Sequence, residues 1–271
     1  MERDSPAGIH PTALVHPAAQ LGAGVVVGPY SIIGEDIKIG AETEVGAHVV
    51  LEGRVEIGER CKIAHGAIIG APPQDVKFVP GTRSGVRIGS GNVIREYVTI
   101  HRASKADGWT LIGNDNLLLS SSHVAHDCRI GNGVLIINYA GLAGHIEVED
   151  YAVIGGHTGI QPFMRVGRLA YIGGCSGIRQ DVPPCVIVDG IPARARAINV
   201  IGLRRHSVPP DVRQELRRAF KLLYRSGLSV RRALERIRAE VASSELLDHF
   251  VEFVASSTKG ICAAEPDDAE P

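Results

Sequence analysis

An aliphatic residue recurs at every sixth position through most of this 271-residue chain. From Ile9 the series runs through Val15, Leu21, Val27, Ile33, Ile39, Val45, Leu51, Ile57, Ile63 and Ile69. It returns at Ile88, Ile94 and Ile100, and then continues from Ile112 in unbroken steps of six to Ile178. A helix repeats near 3.6 residues and a half-buried strand near 2, so neither alone gives a period of six. A triangular coil of three short parallel strands does, with one aliphatic side chain per side pointing inward. Glycine often follows the aliphatic residue, and this small residue is expected to permit the turn. Residues 18 apart should then stack in neighbouring coils, about 4.8 Å from one another.

Composition agrees with a narrow aliphatic prism: aromatics are only 4% of residues, while glycines number 32. The expected organisation is a parallel β-helix over residues 1–190 and a connecting segment at 191–208. A C-terminal helical domain at 209–258 and a flexible tail at 259–271 follow. The phase slips once, between Ile69 and Ile88, across GAPPQDVKFVPGTRSG. Rich in Gly and Pro, this stretch reads as a loop leaving the prism near residues 71–87. RASKADGWT, after Ile100, is a second candidate loop: its length keeps the phase, but Ala106 stands where a large aliphatic residue is due. Pro209-Pro210 breaks the repeat, and three amphipathic stretches after it have helical spacing, one of them VRQELRRAFKLLYRSG.

The formal net charge of -1 gives no reason to expect nucleic acid or another bulk polyanion. Arg194, Arg196, Arg204 and Arg205 form a local cluster suited to a small anionic ligand. No apolar run approaches the ~18 residues of a membrane span. The N-terminus lacks a basic segment followed by an apolar one, so a cytoplasmic location is expected. Five cysteines without metal-ligand spacing fit a reducing compartment, most of them as buried single thiols.

The chemistry concentrates in SSHVAHDCRI and GLAGHIEVED. The 18-residue repeat puts Gly144 one coil from His126, and His145 one coil from Asp127. His123 is close by, and His157 could join the edge of the cluster. An imidazole serves as a general base near neutral pH. Asp127 could fix its tautomer, and the Gly144 N–H could stabilise an oxyanion. That set suits acyl transfer to a hydroxyl or amine. With no G-x-S-x-G motif and no cysteine beside the base, direct attack by the acceptor is simpler than an acyl-enzyme. The rival readings are a zinc site built from histidines of adjacent coils, serving a hydratase or hydrolase, and a non-catalytic scaffold. The H-x-x-H spacing of His123 and His126 does not obviously converge on a metal.

Beyond the repeat, an ordered set of motifs spans nearly the whole chain. Gln74, Asp75 and Lys77 are followed by IREYVTIHR, IGNDNLL, HVAHDCRIGN, LAGH, IGGCSGIRQDVPP and INVIGLRR. In this the chain resembles the cytoplasmic acyl-ACP:UDP-N-acetylglucosamine O-acyltransferases, the first enzymes of lipid A synthesis. The resemblance implies a left-handed parallel β-helix of hexapeptide repeats, no extra domain before the repeats, and a homotrimer with sites between prisms. It implies no cofactor and no metal, the acyl group arriving on the phosphopantetheine of acyl carrier protein. The acceptor would be UDP-N-acetylglucosamine or a close UDP-sugar.

By the same resemblance His126 is the base, Asp127 orients it, and Gly144 faces the oxyanion. Gln74, Asp75, Lys77, His123, His145 and Gln161 position substrate. Asn199 and Arg205 lie on the nucleotide side, and Gly174 limits the depth of the acyl groove. Three departures stand out. The family's His-Gln before Phe is here Gln161-Pro162-Phe163, His206 stands where a second Arg is common, and Ile201 where an acid is common. Pro162 cannot supply an amide side chain. These changes keep open N-acyl transfer to a 3-amino UDP-sugar.

Overall fold

The computed structural model describes residues 8–264. Very short strands, most of two residues, follow one another around three sheets of nine, eight and ten strands, parallel except for one terminal pair. Each strand pairs with the strand one coil away, as in Val124↔Leu142 and Ile136↔Ile154. The sixth-position residues fill the interior: Val124, Leu142, Ile160 and Ile178 are all at most 3% exposed. A second inward position lies two residues earlier, where Val134, Ala140, Ile146 and Ala152 are also buried. Burying each large aliphatic side chain is worth about 1.5–3 kcal/mol, so the stack dominates the stability of the prism. Cys61, Cys128 and Cys185 fill the same interior, while Cys175 is exposed. Burial pushes the Cys128 and Cys185 thiols up to about 12.

The glycines that directly follow the aliphatic residues do not make the turns, contrary to expectation. The left-handed backbone falls three positions after the aliphatic residue and is mostly held by other residue types, such as Asp127 (φ 61°), Tyr139 (φ 60°) and His145 (φ 61°). Glycine directly after the aliphatic residue answers a different need, close approach between coils. A Cβ on Gly40 would lie 2.5 Å from the carbonyl carbon of Gly58, and one on Gly28 would lie 2.6 Å from that of Gly46.

Two loops leave the prism. Residues 72–84 are inserted between the strands Ile68–Ala71 and Gly85–Ile88, which belong to successive sides. Arg102 pins the first turn of this excursion, donating from Nη1 to the Gly70 carbonyl at 2.9 Å and lying over the Phe78 ring. The second loop joins Thr99–His101 to Trp109–Ile112 and carries Ala106 outside the aliphatic stack.

The connecting segment has more structure than the sequence suggests. Val186–Gly190 and Ala193–Ile198 form an antiparallel hairpin that continues one sheet beyond Tyr171–Ile172. A short helix, α1 (Val200–Arg205), follows, and then α2 (Pro210–Tyr224), α3 (Val230–Glu240) and α4 (Glu245–Ala255). Ser229 and Ser244 accept hydrogen bonds from Arg232 N–H and Leu247 N–H, capping α3 and α4.

Helix α4 docks on the last coils. Arg165 donates from Nη2 to the Phe253 carbonyl at 2.8 Å, and Arg168 pairs with Glu245 at 3.0 Å. His249 Nε2 lies 2.6 Å from Glu149 Oε2, a hydrogen bond that raises the imidazole pKa above its ordinary value. Residues 259–264 are not a loose tail. Ile261 bridges Asp181, Ala264 bridges Ala195, and Cys262 is buried. The rest of the expected flexible tail, 265–271, lies outside the described residues. Among the described residues no helix is long and apolar enough to cross a membrane.

Candidate active site

One face of the prism has lost its side chains. Beyond His123, its partners in register are Gly141, Gly159 and Gly177. A Cβ on Gly141 or Gly159 would have no atom within 4 Å. The strip is the floor of a groove of about 960 Å³, whose walls include Ala125 and His126, Ala143 to His145, Gln161 to Phe163, and Gln74 to Lys77 from the first excursion. Ile191, from the hairpin, stands at its far end, 3.3 Å from where a Cβ on Gly177 would sit. The sequence predicts neither the strip nor Ile191, although three glycines at intervals of 18 signal it.

His126 stands at the corner beside this floor, its side chain 13% exposed. Its Nδ1 is 2.7 Å from Asp127 Oδ2. A carboxylate only accepts, so Nδ1 carries the proton and the Nε2 lone pair is left for the groove. Asp127 is held from several sides. Ser104 N–H, on the second loop, donates to its two oxygens at 3.1 and 3.3 Å, and its own N–H donates to Thr110 Oγ1 at 2.9 Å. Burial alone would raise the carboxyl pKa. The hydrogen bonds from Ser104 and His126, with the nearby His145, outweigh it and hold the group below its ordinary value. Asp127 is therefore ionised near neutral pH.

One coil on, Gly144 faces the base: a Cβ there would lie 2.6 Å from His126 Cε1 and 2.7 Å from Nε2. Its N–H takes part in none of the backbone hydrogen bonds between coils among the described residues. His145 crosses the His126 ring at 90° with centroids 5.3 Å apart, and its Nε2 lies 3.6 Å from Asp127 Oδ2. His123 Nδ1 is 2.7 Å from Thr99 Oγ1. Burial, and then the charge of His126, lowers the His123 pKa.

Behind His123 lies a residue the sequence reading passes over. His101 is buried and packs edge-to-face on His123 at 4.9 Å. Burial foremost, and then His123, His126 and Arg102, lower its pKa to about 4. It is therefore a neutral ring that backs the groove. The motif IREYVTIHR contains it, but a period-six reading marks only the aliphatic member, Ile100.

The excursion brings Gln74, Asp75 and Lys77 to the groove. Asp75 also shapes its own loop, accepting from Lys77 N–H at 2.9 Å. Other expected residues lie elsewhere. Gly174 is at the neighbouring corner, where a Cβ would meet the Gly156 carbonyl at 3.3 Å. Asn199 caps α1 by accepting from Gly202 N–H, and donates to the Leu169 carbonyl at 2.9 Å. Arg205 ends α1, and His206 after it packs on Tyr151 with centroids 4.4 Å apart. None of these lines the groove of the single chain. His157 does not join the cluster; it stacks on Tyr139 instead.

The metal alternative also takes a different form. His126, Asp127 and His145 each offer a ligand atom within 4.8 Å of the others, whereas His123 is not part of that set.

Relatives of this chain are numerous. Residues 36–71 match the bacterial transferase hexapeptide family, and residues 181–262 match the second domain of UDP-N-acetylglucosamine O-acyltransferase. The acyl-carrier-protein–UDP-N-acetylglucosamine O-acyltransferase of Thermodesulfovibrio yellowstonii is 46% identical over 78% of this chain and 82% of its own length. The enzyme of the same name from Rippkaea orientalis is 51% identical over 78% of this chain and 76% of its own.

The chain belongs to this O-acyltransferase family.

The crystal structure of the UDP-N-acetylglucosamine acyltransferase of Bacteroides fragilis superposes with a TM-score of 0.91 at 38% identity, covering 94% of this chain and 99% of that one. The fold is the left-handed parallel β-helix of the family, followed by a helical region. General handedness rules favour right-handed crossovers between parallel strands, so the hand follows from kinship and not from the repeat.

Proposed function

We propose that this chain transfers a 3-hydroxyacyl group from acyl carrier protein to the 3-hydroxyl of UDP-N-acetylglucosamine, the first step of lipid A synthesis, in the cytoplasm. The observation that carries this reading is the His126–Asp127 pair set against Gly144 of the next coil, whose N–H is engaged in none of the backbone hydrogen bonds between coils among the described residues. His126 Nε2 takes the proton of the 3-hydroxyl as that oxygen attacks the thioester carbonyl. The tetrahedral oxyanion accepts a hydrogen bond from Gly144 N–H. It collapses to the ester, the C–S bond breaks, and the imidazolium returns its proton to the departing phosphopantetheine thiolate. Asp127 holds the ring in the tautomer this needs and stabilises the transient imidazolium.

Gln74, Asp75, Lys77, His123, His145 and Gln161 position the two substrates around the base. The strip of Gly141, Gly159 and Gly177 gives the acyl chain a smooth floor. Asn199 and Arg205, remote from this groove in the single chain, serve the nucleotide of a neighbouring subunit's site, which requires a homotrimer. Arg205 suits diphosphate because guanidinium forms several charged hydrogen bonds at once. This mechanism routes no step through a metal: His126 Nε2 supplies the base and the Gly144 N–H the oxyanion donor.

The deciding experiment offers a 3-hydroxyacyl carrier with UDP-N-acetylglucosamine or its 3-amino analogue, with and without a chelator, and identifies the product by mass spectrometry. An ester formed at a chelator-insensitive rate is expected. Amide formation alone would reassign the acceptor, loss of activity on chelation would revive the metal reading, and transfer to neither acceptor would end the proposal.

The depth of the groove gives a separate expectation. If Gly174 bounds the acyl end, Gly174→Met should shift preference toward shorter donors by steric exclusion. Competition between carriers of different chain length measures this. An unchanged length profile removes Gly174 from the groove and leaves Ile191 as the residue that closes it.

A further inference from the structure

Proton transfer gives no account of Phe163, an aromatic side chain left 55% exposed beside the base. It occupies the same corner as Asp127 and His145, in the third of three successive coils, and all three residues have left-handed backbone at φ 61–67°. Its ring lies flat on the His145 imidazole, with centroids 4.6 Å apart and planes inclined by 8°. Its N–H donates to the Gly144 carbonyl at 3.2 Å. Lys259 Nζ, from the segment after α4, lies over the same ring at 5.7 Å.

His145 is the next link. Its Nε2 is 3.6 Å from Asp127 Oδ2, the oxygen that receives the His126 Nδ1 proton. Among the described residues no hydrogen bond fixes its ring, so its plane is set by what packs on it. Phe163 supplies a broad, rigid surface parallel to that plane, and an aliphatic side chain of similar bulk would not.

We propose that Phe163 is a positioning residue for acyl transfer: its ring holds the His145 imidazole in the plane from which it shares Asp127 Oδ2 with the base His126. This rests on the reading of His126 as the base. With the stack removed, His145 turns, the carboxylate loses its second partner, and His126 is held less firmly against the acceptor hydroxyl. The effect belongs to turnover more than to substrate binding.

A double-mutant cycle tests this with Phe163→Leu, His145→Ala and the combined variant, assayed for kcat and KM with both substrates. Phe163→Leu is expected to lower kcat about two- to tenfold, the fold-change corresponding to one stacked pair, with KM unchanged. In the His145→Ala background the same change should cost nothing more, and Phe163→Tyr should restore the wild-type rate. An equal loss with and without His145, a change confined to KM, or no rescue by tyrosine would overturn the proposal. Circular dichroism and native mass establish folding. Should the leucine variant fail there, Phe163→Met replaces it, and wild-type turnover in that variant would also overturn the proposal. His126→Ala, assayed in parallel, separates the two claims. Near-normal turnover in that variant defeats the base assignment, whereas additive losses at Phe163 and His145 defeat only the positioning role.

Discussion

His126→Ala is expected to lower turnover by roughly 10²–10⁴-fold, the usual contribution of a positioned general base, while the prism stays folded. The two halves of this expectation have separate origins. Folding survives because the ring lies outside the aliphatic stack: Val124 and Cys128 on either side are fully buried, whereas the imidazole faces the groove. Turnover falls because the remaining groups in reach are poor substitutes. His123 is tied to Thr99, and burial lowers its pKa, which makes it a weaker base. His145 is stacked under Phe163 and points its Nε2 toward Asp127. Asp127 keeps its hydrogen bonds from Ser104 and, ionised with a lowered pKa, is a feeble proton acceptor. Matched circular dichroism and steady-state rates check both halves. A folded variant turning over near the wild-type rate would remove His126 from the mechanism.

The period of six made the prism legible, because each inward aliphatic residue is an independent vote for the same geometry. It also made part of the site legible. Stacking at 18 residues joins Asp127 to His145 and His126 to Gly144 with no knowledge of the fold beyond the repeat. What the repeat could not carry was anything set by side-chain packing outside the stack. His101 is hidden because its role is to lie behind His123, and Ser104 because it reaches Asp127 from a loop outside the repeat. The αL corners misled for a physical reason. Glycine is the usual sign of left-handed backbone, but coil-to-coil spacing claims those that follow the aliphatic residues, and the corners at the site fall to Asp127, His145 and Phe163. The hairpin at Val186–Gly190 and Ala193–Ile198 is not legible because ARARAI alternates small and charged residues, a weak strand pattern directly after Pro192.

Gly144→Ala tests the geometry of the pair more sharply than removing either residue. Gly144 has ordinary backbone, so alanine brings no conformational penalty there and the prism should fold. The added methyl would nevertheless sit 2.6 Å from His126 Cε1 and 2.7 Å from Nε2, well inside van der Waals contact. The ring can escape only by swinging away, and that breaks its 2.7 Å hydrogen bond to Asp127. The methyl also takes the space between base and N–H donor, where the attacking hydroxyl and the oxyanion must meet. Loss of a base and obstruction of an oxyanion donor each cost on the order of 10²-fold or more. The two share one cause here, so they should not multiply in full, and a fall in kcat of about 10²–10³-fold is expected. Acyl-carrier affinity, measured by calorimetry, should change far less, because the groove floor and the Lys77 excursion are untouched. Wild-type turnover in folded Gly144→Ala would mean that the oxyanion is stabilised elsewhere and that His126 does not work across this coil.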